Sequence, residues 1–202
     1  MIELDDDHRY TVDGHPVPGV TQILSGLNLV DDQWFTEQSR QRGTAVHAAV
    51  HYWIQDDLKW ETLDPRIEGY VRAAIRFLED ARADPKQLRT EVRVFNSVLG
   101  YCGTTDVLGV VFGDDAVTDW KSGALGKATG LQTAAYDLAD PGHRRRRIGV
   151  QLRNNGTYKK VDLDRELDPS GTDYRRFPAA VDLYRRFVWP RELQERSIHA
   201  SA

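Results

Sequence analysis

Glu91, Asp106, Asp119 and Lys121 follow one another through a stretch whose residues favour strands. Glu91 lies in Thr90-Glu91-Val92-Arg93-Val94-Phe95, Asp106 in Gly103-Thr104-Thr105-Asp106, and the last two in Ala116-Val117-Thr118-Asp119-Trp120-Lys121. Period-two alternation puts Asp119 and Lys121 on one strand face and Trp120 on the other. If the three strands are neighbours, three acids and one ammonium converge at one end of a sheet. Grouped carboxylates repel one another, and their pKa values climb unless a cation compensates. Mg²⁺ or Mn²⁺ matches such an oxygen-rich donor set. An ion of that kind polarises a phosphodiester oxygen and acidifies a bound water, while Lys121 would orient the attacking water or stabilise the charge developing in the transition state. Each piece also has an ordinary reading. Asp-x-Lys pairs are common, an Asp after glycine is a frequent turn residue, and a strand Glu is usually solvated. The order and spacing of the set lift the joint reading above its parts.

The elements that must position these residues are legible in outline. His8–Val12 before Asp13-Gly14 reads as a short strand and turn, and Val20–Leu27 as a helix. Gln33–Ile54 reads as a second helix, with Trp34, Phe35, Ala45, Val46, Ala49, Val50 and Trp53 as its apolar positions. Pro65 opens a third helix that ends before Asp84-Pro85. Strands at Thr90–Phe95, Gly100–Phe112 and Ala116–Lys121 follow, then a helix over Ala124–Leu138. Asn154-Asn155-Gly156 joins Arg147–Leu152 and Tyr158–Leu163 as a hairpin. Thr172–Glu195 reads as a closing helix, with breaks expected at Pro178 and Pro190. This order implies an α/β or α+β fold with one mixed sheet. No linker divides it, so the expected organisation is one domain: a mainly helical part over residues 1–85, a catalytic sheet core over 86–165 and a C-terminal helix over 166–202.

Composition narrows the classes. The 202 residues carry 27 Lys+Arg against 31 Asp+Glu, a formal charge of −4, which excludes a generally basic nucleic-acid coat but not a local basic patch. The single cysteine, Cys102, excludes an internal disulfide, a Cys-only zinc site and an iron–sulfur cluster. No apolar run approaches the roughly 18–20 residues of a membrane span, and the acidic start is not a signal peptide. A cytoplasmic, reducing compartment is the expectation.

Taken together, Glu91, Gly103-Thr104-Thr105-Asp106, Val117-Thr118-Asp119-Trp120-Lys121-Ser122-Gly123 and Gln132-x-x-x-Tyr136 resemble the core motifs of the PD-(D/E)XK nuclease superfamily. The branch they resemble is the RecB-like and Cas4-like group with its small phage-type exonucleases. Arg42-Gly43-Thr44-Ala45-Val46-His47 is similar to that branch's Arg-Gly-x-x-x-His helix, and Val17–Leu24 to a segment near the start of phage-type members. The resemblance implies a restriction-endonuclease-like core of mixed sheet flanked by helices. It implies one or two Mg²⁺ or Mn²⁺ ions held by Asp106, Asp119, the backbone carbonyl of Trp120, His47 and, directly or through water, Glu91. Lys121 would be the catalytic lysine, with Gln132 and Tyr136 positioning the nucleic acid. Helical spacing puts Gln132 and Tyr136 on one face, although alone the pair would pass for an exposed Gln and a packed Tyr. His47 and His51 are also i and i+4, without the intervening Glu of a metalloprotease helix; His51 is read as structural. Many relatives carry four cysteines for an iron–sulfur cluster, and this chain departs from them.

The implied activity is phosphodiester hydrolysis on DNA, as an exonuclease in recombination, repair or phage DNA processing. A flap or structure-specific endonuclease, and a silent DNA-binding accessory module, are the alternatives. Residues 143–160 hold Arg144, Arg145, Arg146, Arg147, Arg153, Lys159 and Lys160 and no acid, a run that would contact phosphates without reading bases or else solvate a loop. Arg42 could join it, as could Arg175-Arg176 and Arg185-Arg186. Trp34, Tyr52 and Trp53 could stack on a single strand, with core packing the rival use. DNA and a separate recombination or annealing protein are the expected partners, and no membrane.

Overall fold

A computed structural model of the chain describes residues 1–5, 7–30, 36–140 and 142–191. Three short strands open it, β1 (Ile2–Leu4), β2 (Tyr10–Val12) and β3 (His15–Val17), antiparallel in that order. Asp13 and Gly14, both at positive φ, make the two-residue turn between β2 and β3, as an Asp-Gly pair favours. The outer two strands are three residues each, too short to show a period in the sequence.

Helices α1 (Val20–Gly26), α2 (Glu37–Ile54) and α3 (Pro65–Asp80) come next. Thr36 caps α2 by accepting from the Ser39 N–H, and Asp64 caps α3 ahead of a proline whose missing N–H costs nothing there. Of the helix expected from Gln33, residues 33–35, including Trp34, lie outside the described residues.

The main sheet holds β4 (Arg89–Asn96), β5 (Tyr101–Val111), β6 (Asp114–Lys121), β7 (Arg146–Leu152) and β8 (Tyr158–Asp162), side by side in chain order. All neighbours are antiparallel except β6 and β7, which run parallel because α4 (Ala128–Leu138) crosses between them. The architecture is therefore α/β, a mixed five-stranded sheet flanked by helices. α4 begins at Ala128 rather than Ala124. The closing helix α5 (Asp173–Phe187) runs through Pro178 unbroken; its expected end at Glu195 lies outside the described residues.

Each sheet face has its own apolar layer. Trp120, Val107, Val111, Ile148, Val150 and Leu152 pack with α2 and α3. Tyr101, Leu108 and Val117 pack with α1, α4 and α5. The two layers leave the carboxyl end of β6 between α2 and α4, and the acids gather there. Among the described residues, no helix is long and apolar enough to cross a membrane.

Candidate metal centre

β6 presents Asp119 and Lys121 on the α4 side and buries Trp120 against α2 and α3, the alternation expected of the strand. Asp119 is fully buried. The Lys121 Nζ lies 2.9 Å from its Oδ1 and 2.8 Å from its Oδ2. Only Oδ1 accepts a well-angled hydrogen bond, which leaves Oδ2 buried with none. The same ammonium donates to Gln132 Oε1 at 3.3 Å, and Gln132 Nε2 donates to the Tyr136 hydroxyl at 2.8 Å. The i, i+4 pair of α4 therefore shares a face and looks toward β6.

Asp106, 8 % exposed, comes from the middle of β5. Its Oδ2 accepts the Trp120 backbone N–H at 2.8 Å, and its Oδ1 lies 3.3 Å from His47 Nδ1. α2 brings His47 across the sheet end; its Nε2–H donates to the Trp120 carbonyl at 3.2 Å. Glu91 reaches the same ring, with Oε1 4.0 Å from Nδ1. One donor atom each from His47, Glu91 and Asp106 falls within a span of 4.8 Å. Glu91 has φ 52° and is the one non-glycine residue inside a described strand to take the left-handed conformation, which is strained for a side chain of its kind.

Charge explains the titration of the cluster. Burial disfavours the charged His47 ring, yet the Asp106 carboxylate beside it wins and pushes its pKa up to about 9. Burial would likewise raise Asp106, but His47, Lys121 and the Trp120 N–H hold it below the usual carboxylate range. Burial pushes Asp119 up to about 6 in spite of Lys121. Burial and the Asp106 charge raise Glu91. Lys121 is raised because Asp119 and Asp106 outweigh its own burial. The imidazolium and the ammonium are thus the cations that offset three crowded carboxylates.

The donor set suits a hard divalent ion: carboxylate oxygens, a carbonyl and one imidazole. Asp119 Oδ2 is buried, accepts no well-angled hydrogen bond and meets the Lys121 ammonium at 2.8 Å, so it keeps a lone pair that could serve such an ion. The Trp120 carbonyl has a second lone pair beyond the one His47 uses. His47, Glu91, Asp106, Asp119 and Trp120 are the residues that could hold the ion.

Arg42 approaches from α2 and donates to Ser122 Oγ and to the Ser122 carbonyl, each at 3.3 Å, clamping α2 to the end of β6. The arginine run behaves differently from the expectation. Arg147 is fully buried and pairs with Asp164, Asp168 and Asp173 at 2.8, 3.1 and 3.2 Å. Arg145, 5 % exposed, faces Asp115, Asp137 and Asp140. Arg146 pairs with Asp114 and Asp162, both at 2.6 Å. Arg144 remains exposed, its guanidinium 3.4 Å over the Tyr174 ring. The run has no acid of its own; its partners come from α4 and the residues just after it, the start of β6, the end of β8 and the segment after it, and the start of α5. Arg145 and Arg147 are buried cations enclosed by carboxylates, which makes them structural in this fold. On α5, Arg176 and Arg186 pair with acids one turn back, and Arg185 donates to the Leu99 carbonyl. Trp53 packs on the α2–α3 layer, and Tyr52 is half exposed.

Two contributors carry no sequence signal of their own. Tyr10, on β2, hydrogen-bonds Thr104 at 2.8 Å and lies within electrostatic reach of Glu91 and Tyr136. Ser122 stands in the quoted motif but its use by Arg42 spans 80 positions. The chain matches no protein-family model and no curated protein.

Proposed function

We propose that the protein is a Mg²⁺- or Mn²⁺-dependent deoxyribonuclease with a restriction-endonuclease-like core of the PD-(D/E)XK type, acting as an exonuclease. One observation carries the reading: His47, Glu91 and Asp106 bring donor atoms within 4.8 Å of one another, at the sheet end where Lys121 grips Asp119. Asp106, Asp119, His47, Glu91 and the Trp120 carbonyl hold the ion. When bound, the ion supplies Lewis-acid polarisation of the phosphoryl oxygen and a lower pKa for water.

The chain's own residues do the remaining work. Lys121 spends two of its N–H groups on Asp119 and Gln132, which leaves a third for the attacking water or a non-bridging phosphate oxygen. Gln132 holds that ammonium in place. Because Gln132 donates to the Tyr136 hydroxyl, the phenolic hydrogen is free to donate to a phosphate. Burial keeps Tyr136 neutral well above its ordinary range, so it remains a donor. Phosphate contacts of this kind read no bases, so DNA of any sequence is the substrate. A recombination or annealing protein is the proposed partner, and the cytoplasm its place of action.

The test is end-labelled linear DNA and closed circular DNA incubated with Mg²⁺ or Mn²⁺. Degradation of the linear form alone is the expected result. Nicked circles would replace the exonuclease with an endonuclease. Binding without cleavage of either form would remove the enzymatic reading.

A further inference from the structure

His51, one turn beyond His47 on α2, shares a hydrogen bond through Nδ1 with the Thr90 hydroxyl. Thr90 immediately precedes Glu91. The two halves of β4 face opposite layers: Leu88 just upstream belongs to the α2–α3 layer and Thr90 meets α2, whereas Val92 and Val94 pack with the α1–α4–α5 layer. Strict alternation would put positions 88, 90, 92 and 94 on one side. The reversal falls at Glu91, where φ is 52°. Pairing with β5 is interrupted at the same place, between Thr90↔Val107 and Val92↔Thr105, so Glu91 stands opposite Asp106 without a ladder bond to hold it. A strained residue persists only where its surroundings over-determine it. Downstream the valines do so, and upstream the polar tie is His51 to Thr90.

We infer that His51 is a positioning residue, whose bond to Thr90 locks the reversal of β4 and so aims the Glu91 carboxylate at His47 and Asp106. The bond links the helix that carries one proposed ligand to the strand that carries another, with His47 four residues before His51 and Glu91 one residue after Thr90. Its metal-binding consequence rests on the proposed nuclease reading; its conformational consequence does not.

The experiment is a set of crystal structures and Mn²⁺ titrations of the full chain. Thr90→Val keeps the shape of the side chain and deletes the hydroxyl, Thr90→Ser restores the hydroxyl, and His51→Leu deletes the partner instead. In the wild type Glu91 is expected at positive φ. In Thr90→Val and His51→Leu it should revert to extended backbone with its carboxylate turned from His47, and Mn²⁺ affinity should fall by about 10-fold or more, the usual effect of removing an outer-shell support. Thr90→Ser should match the wild type in both readouts. An extended Glu91 in the wild type, or a left-handed Glu91 retained in either deletion variant, overturns the inference. A wild type that binds no Mn²⁺ overturns the metal reading alone, because the conformation of Glu91 still reports on the bond.

Discussion

A ligand must shed its proton before it can take a metal ion. His47 keeps its ring proton up to about pH 9 and Asp119 its carboxyl proton up to about pH 6. If His47 is a ligand, as proposed, loading the centre near neutral pH would expel a proton from it. Calorimetric Mn²⁺ titrations in buffers of different ionisation enthalpy should show that release, and affinity should rise as pH increases from about 6 to about 9. An affinity flat across that window would remove His47 from the ligand set. Lys121 makes a separate prediction. Lys121→Met keeps the stem and loses the ammonium that faces Asp119 and, on the proposed nuclease reading, would face the reacting phosphate. If the charge acts on the transition state, cleavage should fall by about 10²–10³-fold while Mn²⁺ binding survives. A variant that cleaves at the wild-type rate would show that Lys121 only neutralises Asp119.

At the scale of elements, the site depends on how closely α4 lies on β5. A Cβ on Gly103 would sit 2.6 Å from the Tyr136 ring and 3.0 Å from Val20. The ring is buried and cannot yield freely. Gly103→Ala should therefore push α4 outward, moving Tyr136 and the Gln132–Lys121 contact with it. A shift of about 1 Å costs on the order of 10²-fold in rate, against an overpacking penalty of about 1–3 kcal/mol. Single-turnover cleavage and thermal unfolding separate the two, and an unchanged rate would show that α4 does not position the site. The glycine of Gly103-Thr104-Thr105-Asp106 thus has a packing reason that its motif hides. From α1 onward the order of helices and strands was readable because those elements carry their own period or stop signal, whereas β1 and β3, at three residues each, carry none. Asp106, Asp119 and Lys121 could be placed because strand alternation is local. The reversal at Glu91 could not, since it arises from two layers pulling β4 in opposite directions, and neither layer is adjacent in sequence. The fate of the arginine run was hidden for the same reason: Asp115, which faces Arg145, precedes it by 30 positions (145 − 115), and Asp173, which faces Arg147, follows it by 26.

For the whole molecule, that enclosed arginine cluster changes the meaning of the −4 charge. Arg145 and Arg147 are consumed inside the fold together with Asp137, Asp162, Asp168 and Asp173, so the sequence total does not give the charge of the solvent-facing surface. Arg147 is its hub: besides its three carboxylates it donates to the Gly130 carbonyl at 2.9 Å, tying β7 to α4, to the turn after β8 and to the start of α5. Removing one member of a buried ion pair leaves charge without a partner, so Arg147→Met should lower stability by about 3–5 kcal/mol. The pH dependence follows from Asp168. Burial alone would raise its pKa, but hydrogen bonds from Thr172, the Asp173 N–H and Arg147 hold it down at about 2, below the roughly 3.9 of an unfolded aspartate. A carboxyl depressed in the folded state stabilises the fold above its unfolded pKa, and that contribution disappears as pH falls through its folded value. The wild type should then lose stability between about pH 4 and about pH 2, monitored by circular dichroism under increasing urea. Asp173, raised by burial and by Asp168, gains a proton earlier and offsets part of the loss. In Arg147→Met, Asp168 has one bond fewer to hold its charge, so the unfolding free energy should be lower at neutral pH and fall less steeply toward pH 2. Equal slopes in the two proteins would mean that the hub is held by packing, not by charge.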